Sequence, residues 1–251
     1  MRFLLVLPLL LWSGSALADT LREPRLTIAQ GGPERPQVAL TLDACMGHTD
    51  MRILDTLVEN RIPATIFVTA RWLSRNADAV AILRAHPELF EVEDHGAQHI
   101  PAVLGDKPIY GIKPAGTADA IKAEVEGGQL AILHNAGVRS QWYRDATAVY
   151  SPEALALIRH LGFRVAGYSL NGDQGASLPA ATVAQRIAGA RDGDVIIAHI
   201  NQPKRSSGKG VAEGIMALKA RGFTFVRLED VTTFGDDGES DLRDSVQAAS
   251  R

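Results

Sequence analysis

The chain has 251 residues, a formal net charge of −3 at pH 7 and a single cysteine, Cys45. That length suffices for one domain with a large core, and one cysteine excludes an internal disulfide, so buried apolar surface must hold the fold. Lys, Arg, Asp and Glu are interspersed without a basic stripe, which excludes the electrostatic footprint that nucleic acid demands and points to a neutral or weakly charged substrate.

Arg2 precedes the apolar run 3–12, and small residues follow, ending in Ala16-Leu17-Ala18. A charged start, an apolar stretch of about ten residues and an A-x-A site make a secretory signal peptide, too short to span a bilayer. The expectation is a signal peptide at 1–18, cleavage before Asp19, and a secreted or periplasmic protein with no membrane insertion afterwards. Residues 19–36 then form an N-terminal segment, 37–234 one domain, and 235–251 a polar tail that includes Asp236, Asp237, Glu239 and Asp241.

From Gln37 onward, runs rich in β-branched and aromatic residues alternate with segments of helical period. Runs 38–42, 64–68, 90–93, 141–144, 165–170, 195–199 and 223–228 predict seven strands. Helices are expected at about 50–60, 78–85, 118–133, 151–162, 180–190 and 211–220. The fourth of these starts with Ser151 as N-cap and Pro152 at the first helical position, and Gly162 and Gly222 are expected just past helix ends. Such β/α alternation closes into a barrel or stays open as a doubly wound sheet. Polar groups past five of the runs favour the barrel: Asp43, the pair His95 and His99, Arg144, Asp173, and His199. An open sheet feeds its ligand from the few strand ends at one switch point, whereas a barrel gathers all of them at its C-terminal rim.

His95 and His99 are four residues apart, which on a helical turn puts both imidazoles on one face, able to share a cation such as Zn²⁺. A coincidental surface spacing is the other reading. No glutamate follows His95, so a metalloprotease H-E-x-x-H is excluded. A carboxylate at the mouth of an apolar strand, as at Asp43, is costly unless paired. Arg144 is its expected partner, either holding a reactive base ionised or forming a structural ion pair. His199, oriented by Asp173, suits proton donation to a leaving group, the alternative being a core histidine. Cys45 reads either as a small buried apolar residue or as a thiolate ligand. Residues 104–117, rich in Gly and Pro, are expected to form a surface loop walling the site, and 201–210 a flexible loop. Trp142 and Tyr143 either stack on sugars or belong to the core.

Taken in order, Thr41-Leu42-Asp43, His95-x-x-x-His99, Tyr143-Arg144, Tyr168-Ser169-Leu170-Asn171-Gly172-Asp173 and Ile197-Ala198-His199 resemble the five motifs of the polysaccharide deacetylases, carbohydrate esterase family four. The resemblance runs from about Gln37 to Leu228, and 62–68 and 151–163 resemble connecting segments of that family. It implies a distorted (β/α)7 barrel and a secreted, metal-dependent hydrolase that removes acetyl groups from an N-acetylated or O-acetylated polysaccharide. It also implies roles: Asp43 as general base, Arg144 as its tether, His199 as general acid, Asp173 as the orienter of that acid, His95 and His99 as metal ligands, and Ile197 in the acetyl pocket. One divalent metal is implied, Zn²⁺ first, with Co²⁺ or Mn²⁺ as alternatives.

The sequence departs from the family pattern T-F-D-D-G, reading Thr41-Leu42-Asp43-Ala44-Cys45, so the second aspartate, a metal ligand, is replaced by alanine. Asp43 itself, His48, Cys45, or extra water and substrate oxygens would complete the shell, and Asp43 is the one expected, as base and ligand together. The pattern R-P-P-Y-G is replaced by Arg144-Asp145-Ala146-Thr147-Ala148, with Asp145 expected either to pair with Arg144 or to restore the missing charge. Ser169 stands where the family carries an acidic residue. These departures keep open a glycan-binding protein without turnover on the same fold, or hydrolysis of another amide or acyl bond.

Overall fold

The computed structural model describes residues 21–235. The expected signal peptide and the tail beyond Gly235 lie outside the described residues. In chain order the elements are β1 (Leu26–Ile28), β2 (Gln37–Ala44), α1 (Met51–Glu59), β3 (Ala64–Val68), α2 (Ala70–Leu73), α3 (Ala77–Ala85), β4 (Phe90–Asp94), α4 (Ala118–Asn135), β5 (Trp142–Tyr143), α5 (Pro152–His160), β6 (Arg164–Val165), β7 (Leu170–Asn171), α6 (Ala180–Ala188), β8 (Val195–His199), α7 (Ser207–Ala220), β9 (Thr224–Val226) and β10 (Thr233–Gly235). A curled parallel sheet runs β6-β5-β4-β3-β2-β8-β7, with β9 also paired to the start of β2. This is the distorted (β/α)7 barrel. Among the described residues no helix is long and apolar enough to cross a membrane.

Alternation along β2 sorts its side chains into two environments. Val38, Leu40, Leu42 and Ala44 pack outward with Ile53, Leu54 and Leu57 of α1 and with Val211, Ile215 and Leu218 of α7. Ala39 points inward, into a second cluster with Phe67, Trp142, Ala166, Val195 and Leu228 that fills the barrel. Thr41 and Asp43 follow on the inner face, above that apolar floor.

Residues 165–170, expected as one strand, form two short ones, β6 and β7, at opposite edges of the sheet. Between them the backbone leaves the ladder, because the Ala166 and Gly167 carbonyls turn inward to accept from Arg144. The N-terminal segment fills the seam this opens. Arg22 and Tyr150 exchange backbone bonds at 2.8 Å, Leu26 N–H reaches the Tyr168 carbonyl, and Ile28 N–H donates to the Gly193 carbonyl. A Cβ at position 167 would collide with the Pro24 carbonyl, so Gly167 permits this close approach. β1 then pairs antiparallel with β10.

One further expectation is corrected and another is borne out in position only. Residues 207–210 are the first turn of α7, not loop, because Gly208 and Gly210 serve close packing: side chains there would collide with Asp50 and with the Ala180 carbonyl. The preceding stretch is pinned as well, Arg52 donating to the carbonyls of Pro203 and Arg205. Ser151 does stand at the N-cap of α5 with Pro152 inside the first turn, but its hydroxyl accepts from Leu104 N–H rather than capping the helix. Gly162 and Gly222 adopt φ of 93° and 85°, the left-handed conformation past a helix end.

Glu91 and Glu93 alternate with outward Phe90 and Val92, so both carboxyls face inward, where Glu91 accepts from Thr65 and Glu93 accepts from Gln141 and Trp142 N–H. Burial, and next the charge of Glu91, push the Glu93 carboxyl up to about 10. Folded protein therefore keeps a proton that the unfolded chain releases near its ordinary value of about 4.3, and stability falls as pH rises through the window between these values. Glu93→Gln retains an acceptor for both N–H groups and removes the titration. Its unfolding midpoint should shift less between about pH 5 and about pH 9 than that of the wild type, and equal shifts would refute the assignment.

Candidate active site

Asp43 is the penultimate residue of β2, and Arg144 follows β5 across the barrel. The Arg144 guanidinium, fully buried, donates to Asp43 Oδ1 and Thr41 Oγ1 at 2.9 Å each, to the Gly167 carbonyl at 2.9 Å and to the Ala166 carbonyl at 3.2 Å. It also lies 4.3 Å over the Phe67 ring. Burial alone would raise the Asp43 carboxyl, but Arg144, His95 and His199 outweigh it and hold the group below the ordinary carboxylate value.

His199 ends β8 directly opposite Asp43 in the parallel register. Asp173, buried after β7, takes the His199 N–H at 2.8 Å and pairs with its Nδ1 at 2.9 Å. This bidentate grip leaves Nε2 as the ring nitrogen free of Asp173. Burial opposes the charged ring, yet Asp173 and then Cys45 raise its pKa well above 6.5.

His95 and His99 come together with ring centroids 5.0 Å apart. They do so on an irregular loop, not the helical turn their spacing suggests, with His99 at a left-handed φ of 65°. Glu124 of α4 holds that loop by accepting from Gln98 and Ile100 N–H. The His95 Nδ1 bonds the Arg144 carbonyl at 2.7 Å, which turns Nε2 toward Cys45 Sγ, 3.6 Å away. One donor atom each from Cys45, His95 and His99 lie within 4.8 Å of one another. His99 Nε2 is buried without a hydrogen-bond partner. Burial pushes the Cys45 thiol up, but the neighbouring imidazoles of His199, His95 and His99 bring it well below its ordinary value. Burial likewise disfavours charge on His95, and Asp43 and Cys45 overcome that to lift it to about 9. Two acidic groups held below their ordinary values thus favour positive charge where three donors meet, and His99 keeps a buried ring nitrogen without a hydrogen-bond partner. The donor set fits a borderline divalent cation with one coordination position open to the cavity.

Asp43 Oδ2 lies 3.9 Å from His95 Nε2, beside this cluster, while Oδ1 is committed to Arg144. His48, another candidate for the missing ligand, is exposed. Asp43, Cys45, His99, Ile197 and His199 all line one cavity of about 580 Å³, walled also by Tyr110 and Ile112 of the 104–117 loop. Trp142 and Tyr143 are buried in the two core clusters on either side of the sheet.

Residues 30–166, more than half of the chain, match the polysaccharide deacetylase family. The chain belongs to this family. A curated relative, an uncharacterized 30.6 kDa protein from Geobacillus stearothermophilus, is 26% identical over 211 residues, covering 80% of this chain and 72% of the relative. The solved structure of T48 deacetylase with substrate is 25% identical with a TM-score of 0.61, covering 78% of this chain and 89% of that one. A family-four pseudoenzyme from Bacillus anthracis, 17% identical, shares the fold with a TM-score of 0.63 over 80% of this chain and 67% of its own. Membership in the polysaccharide deacetylases supports removal of acetyl groups from carbohydrate as the chemistry of this chain.

The departures from the family motifs have structural answers. Ala44 faces the helix layer and is fully buried, so a carboxylate on this backbone at position 44 would enter the apolar core rather than the cavity. Cys45, two residues past Asp43, stands in the donor cluster instead. Cys45 directly follows the last residue of β2, and the fold brings it to His95 and His99. Asp145 neither pairs with Arg144 nor joins the cation site: it accepts from Ala102 and Thr147 N–H, and burial raises it to about 6. Ser169 turns away to Asp194. Thr41, part of the first motif but given no role in it, supports Arg144, and Glu124 is a supporting residue that no motif indicated. Removing the guanidinium leaves a buried carboxylate unpaired, so Arg144→Ala should lose about 3–5 kcal/mol of stability in denaturant unfolding, and a loss below about 1 kcal/mol would contradict the pairing.

Proposed function

We propose that this chain is a metal-dependent deacetylase of an acetylated polysaccharide, acting outside the cytoplasm as its N-terminal pattern suggests. The observation that carries the reading is the opposition, in one cavity, of a carboxylate held ionised by Arg144 and an imidazole charged through Asp173, with three metal-type donors beside them. Cys45, His95 and His99 would hold the cation, and a thiolate with two imidazoles suits Zn²⁺ or Co²⁺ better than Mn²⁺. When bound, such an ion supplies Lewis acidity that polarises an acetyl carbonyl and acidifies water.

The chain's own groups do the rest. Asp43, kept anionic, accepts the proton of the attacking water through the oxygen that Arg144 leaves free. His199, fixed through Nδ1, presents Nε2 to the departing amine or alcohol and donates its proton there. Ile197 offers an apolar surface for the acetyl methyl group. A second reading, glycan binding without turnover, is favoured by the absent second aspartate and by fold similarity to a pseudoenzyme.

Acetate release from chitin oligomers, peptidoglycan and acetylated xylan, with and without chelator, separates the two. The deacetylase reading expects chelator-sensitive release, reduced about 100-fold or more by Asp43→Ala or His199→Ala. No release from the zinc-loaded protein would sink it. Independently of activity, Cys45→Ala should bind zinc at least about 10-fold more weakly than wild type in a competition titration, because one of the donors is gone.

A further inference from the structure

The loop over the cavity folds back on itself, Gly105 N–H donating to Gly116, Gly116 N–H donating to Val103, and Ile109 and Ile112 exchanging two backbone bonds of 2.9 Å. Its tip is Tyr110 at φ 49° followed by Gly111 at φ 81°. Two left-handed residues inside such an exchange make a type I′ turn, whose first central position favours Asn, Asp or Gly and disfavours a bulky side chain. The tyrosine that occupies it is 79% exposed. The turn therefore carries a strained aromatic residue whose ring the fold itself scarcely packs, and strain of this kind points to function.

Tyr110 lines the same cavity as the reacting groups, and Tyr168 and Glu23 line it too. Tyr168 is partly buried, packs on the barrel interior and donates its hydroxyl to the Glu23 carboxylate. The ring is fixed by the protein, while the carboxylate keeps acceptor capacity. Two aromatic faces with an acceptor between apolar and polar surroundings match a pyranose, which offers C–H groups on its faces and hydroxyls around its edge.

We propose that Tyr110 and Tyr168 form a stacking subsite for the sugar ring adjoining the one that loses its acetyl group, with Glu23 accepting from that ring's hydroxyls. The inference rests on the glycan reading above and makes the substrate an oligomer or polymer rather than a single acetylated sugar. Tyr110 is a specificity residue that takes no part in the proton transfers proposed for Asp43 and His199.

Calorimetric binding of chitopentaose and of acetylated xylopentaose to metal-depleted protein tests it without turnover. Tyr110→Asn suits the turn, so its unfolding midpoint should equal or exceed that of the wild type, while affinity for the better-bound oligomer falls about 10-fold. Tyr110→Phe keeps the ring and should bind within about twofold of the wild type. Unchanged affinity in Tyr110→Asn, equal losses in both variants, or no binding of either oligomer by the wild type would overturn the proposal. Tyr110-dependent binding without acetate release from the zinc-loaded protein leaves the subsite standing and the deacetylase reading refuted. Acetate release with binding indifferent to Tyr110 does the reverse.

Discussion

The buried pair of Asp43 and Arg144 is the constraint on which the upper half of this barrel depends. A buried ion pair is poor evidence of stabilisation, since the desolvation of two charges offsets most of their attraction and apolar residues of equal size would hold the barrel as well. Its neighbours show what it is for. The same guanidinium draws in the Ala166 and Gly167 carbonyls, breaking a strand, and bonds Thr41 on the floor of the site. The backbone carbonyl of Arg144 orients His95. One residue thus fixes the carboxylate and aims the imidazole that faces Cys45.

Electrostatics in the cavity follow from this arrangement. Asp43 near the end of β2 and Cys45 just past it are both removed from water with acid pKa values held below the ordinary ones, and His95 and His199 are drawn toward their charged forms. A low-dielectric pocket amplifies such attraction and makes uncompensated charge expensive. The pocket is therefore built around a positive centre. His199 has a carboxylate of its own, Asp173, bonded to its backbone N–H and to its Nδ1.

What could be read in the sequence follows from how local each signal is. Asp43, His95, Arg144, Asp173 and His199 stand out because each ends or follows an apolar run, and a parallel barrel converts that position into a common rim. The break at 166–169 was invisible, because its cause is a guanidinium contributed from residue 144 and not a local turn signal. Gly208 and Gly210 misled for a related reason: glycine marks turns in isolation, whereas here it admits Asp50 and the Ala180 carbonyl against a helix. Strands of three residues such as β1 and β10 are too short to carry a period. Cys45 is one of several alternatives in the sequence for the missing ligand, and only the fold, which brings residues 45, 95 and 99 together, singles it out.

The pairing of β1 with β10 joins Leu26 to Gly235, nearly the full described length apart. Residues early in the described chain are thus locked by residues late in it. Loop closure on this scale is slow compared with the pairing of neighbouring β/α units. The segment so locked also carries Glu23 into the cavity wall and seals the seam beside Gly167. Completion of the cavity wall at Glu23 therefore depends on a contact between distant parts of the described chain, whereas Asp43 is placed by the pairing of β2 with β3 and β8.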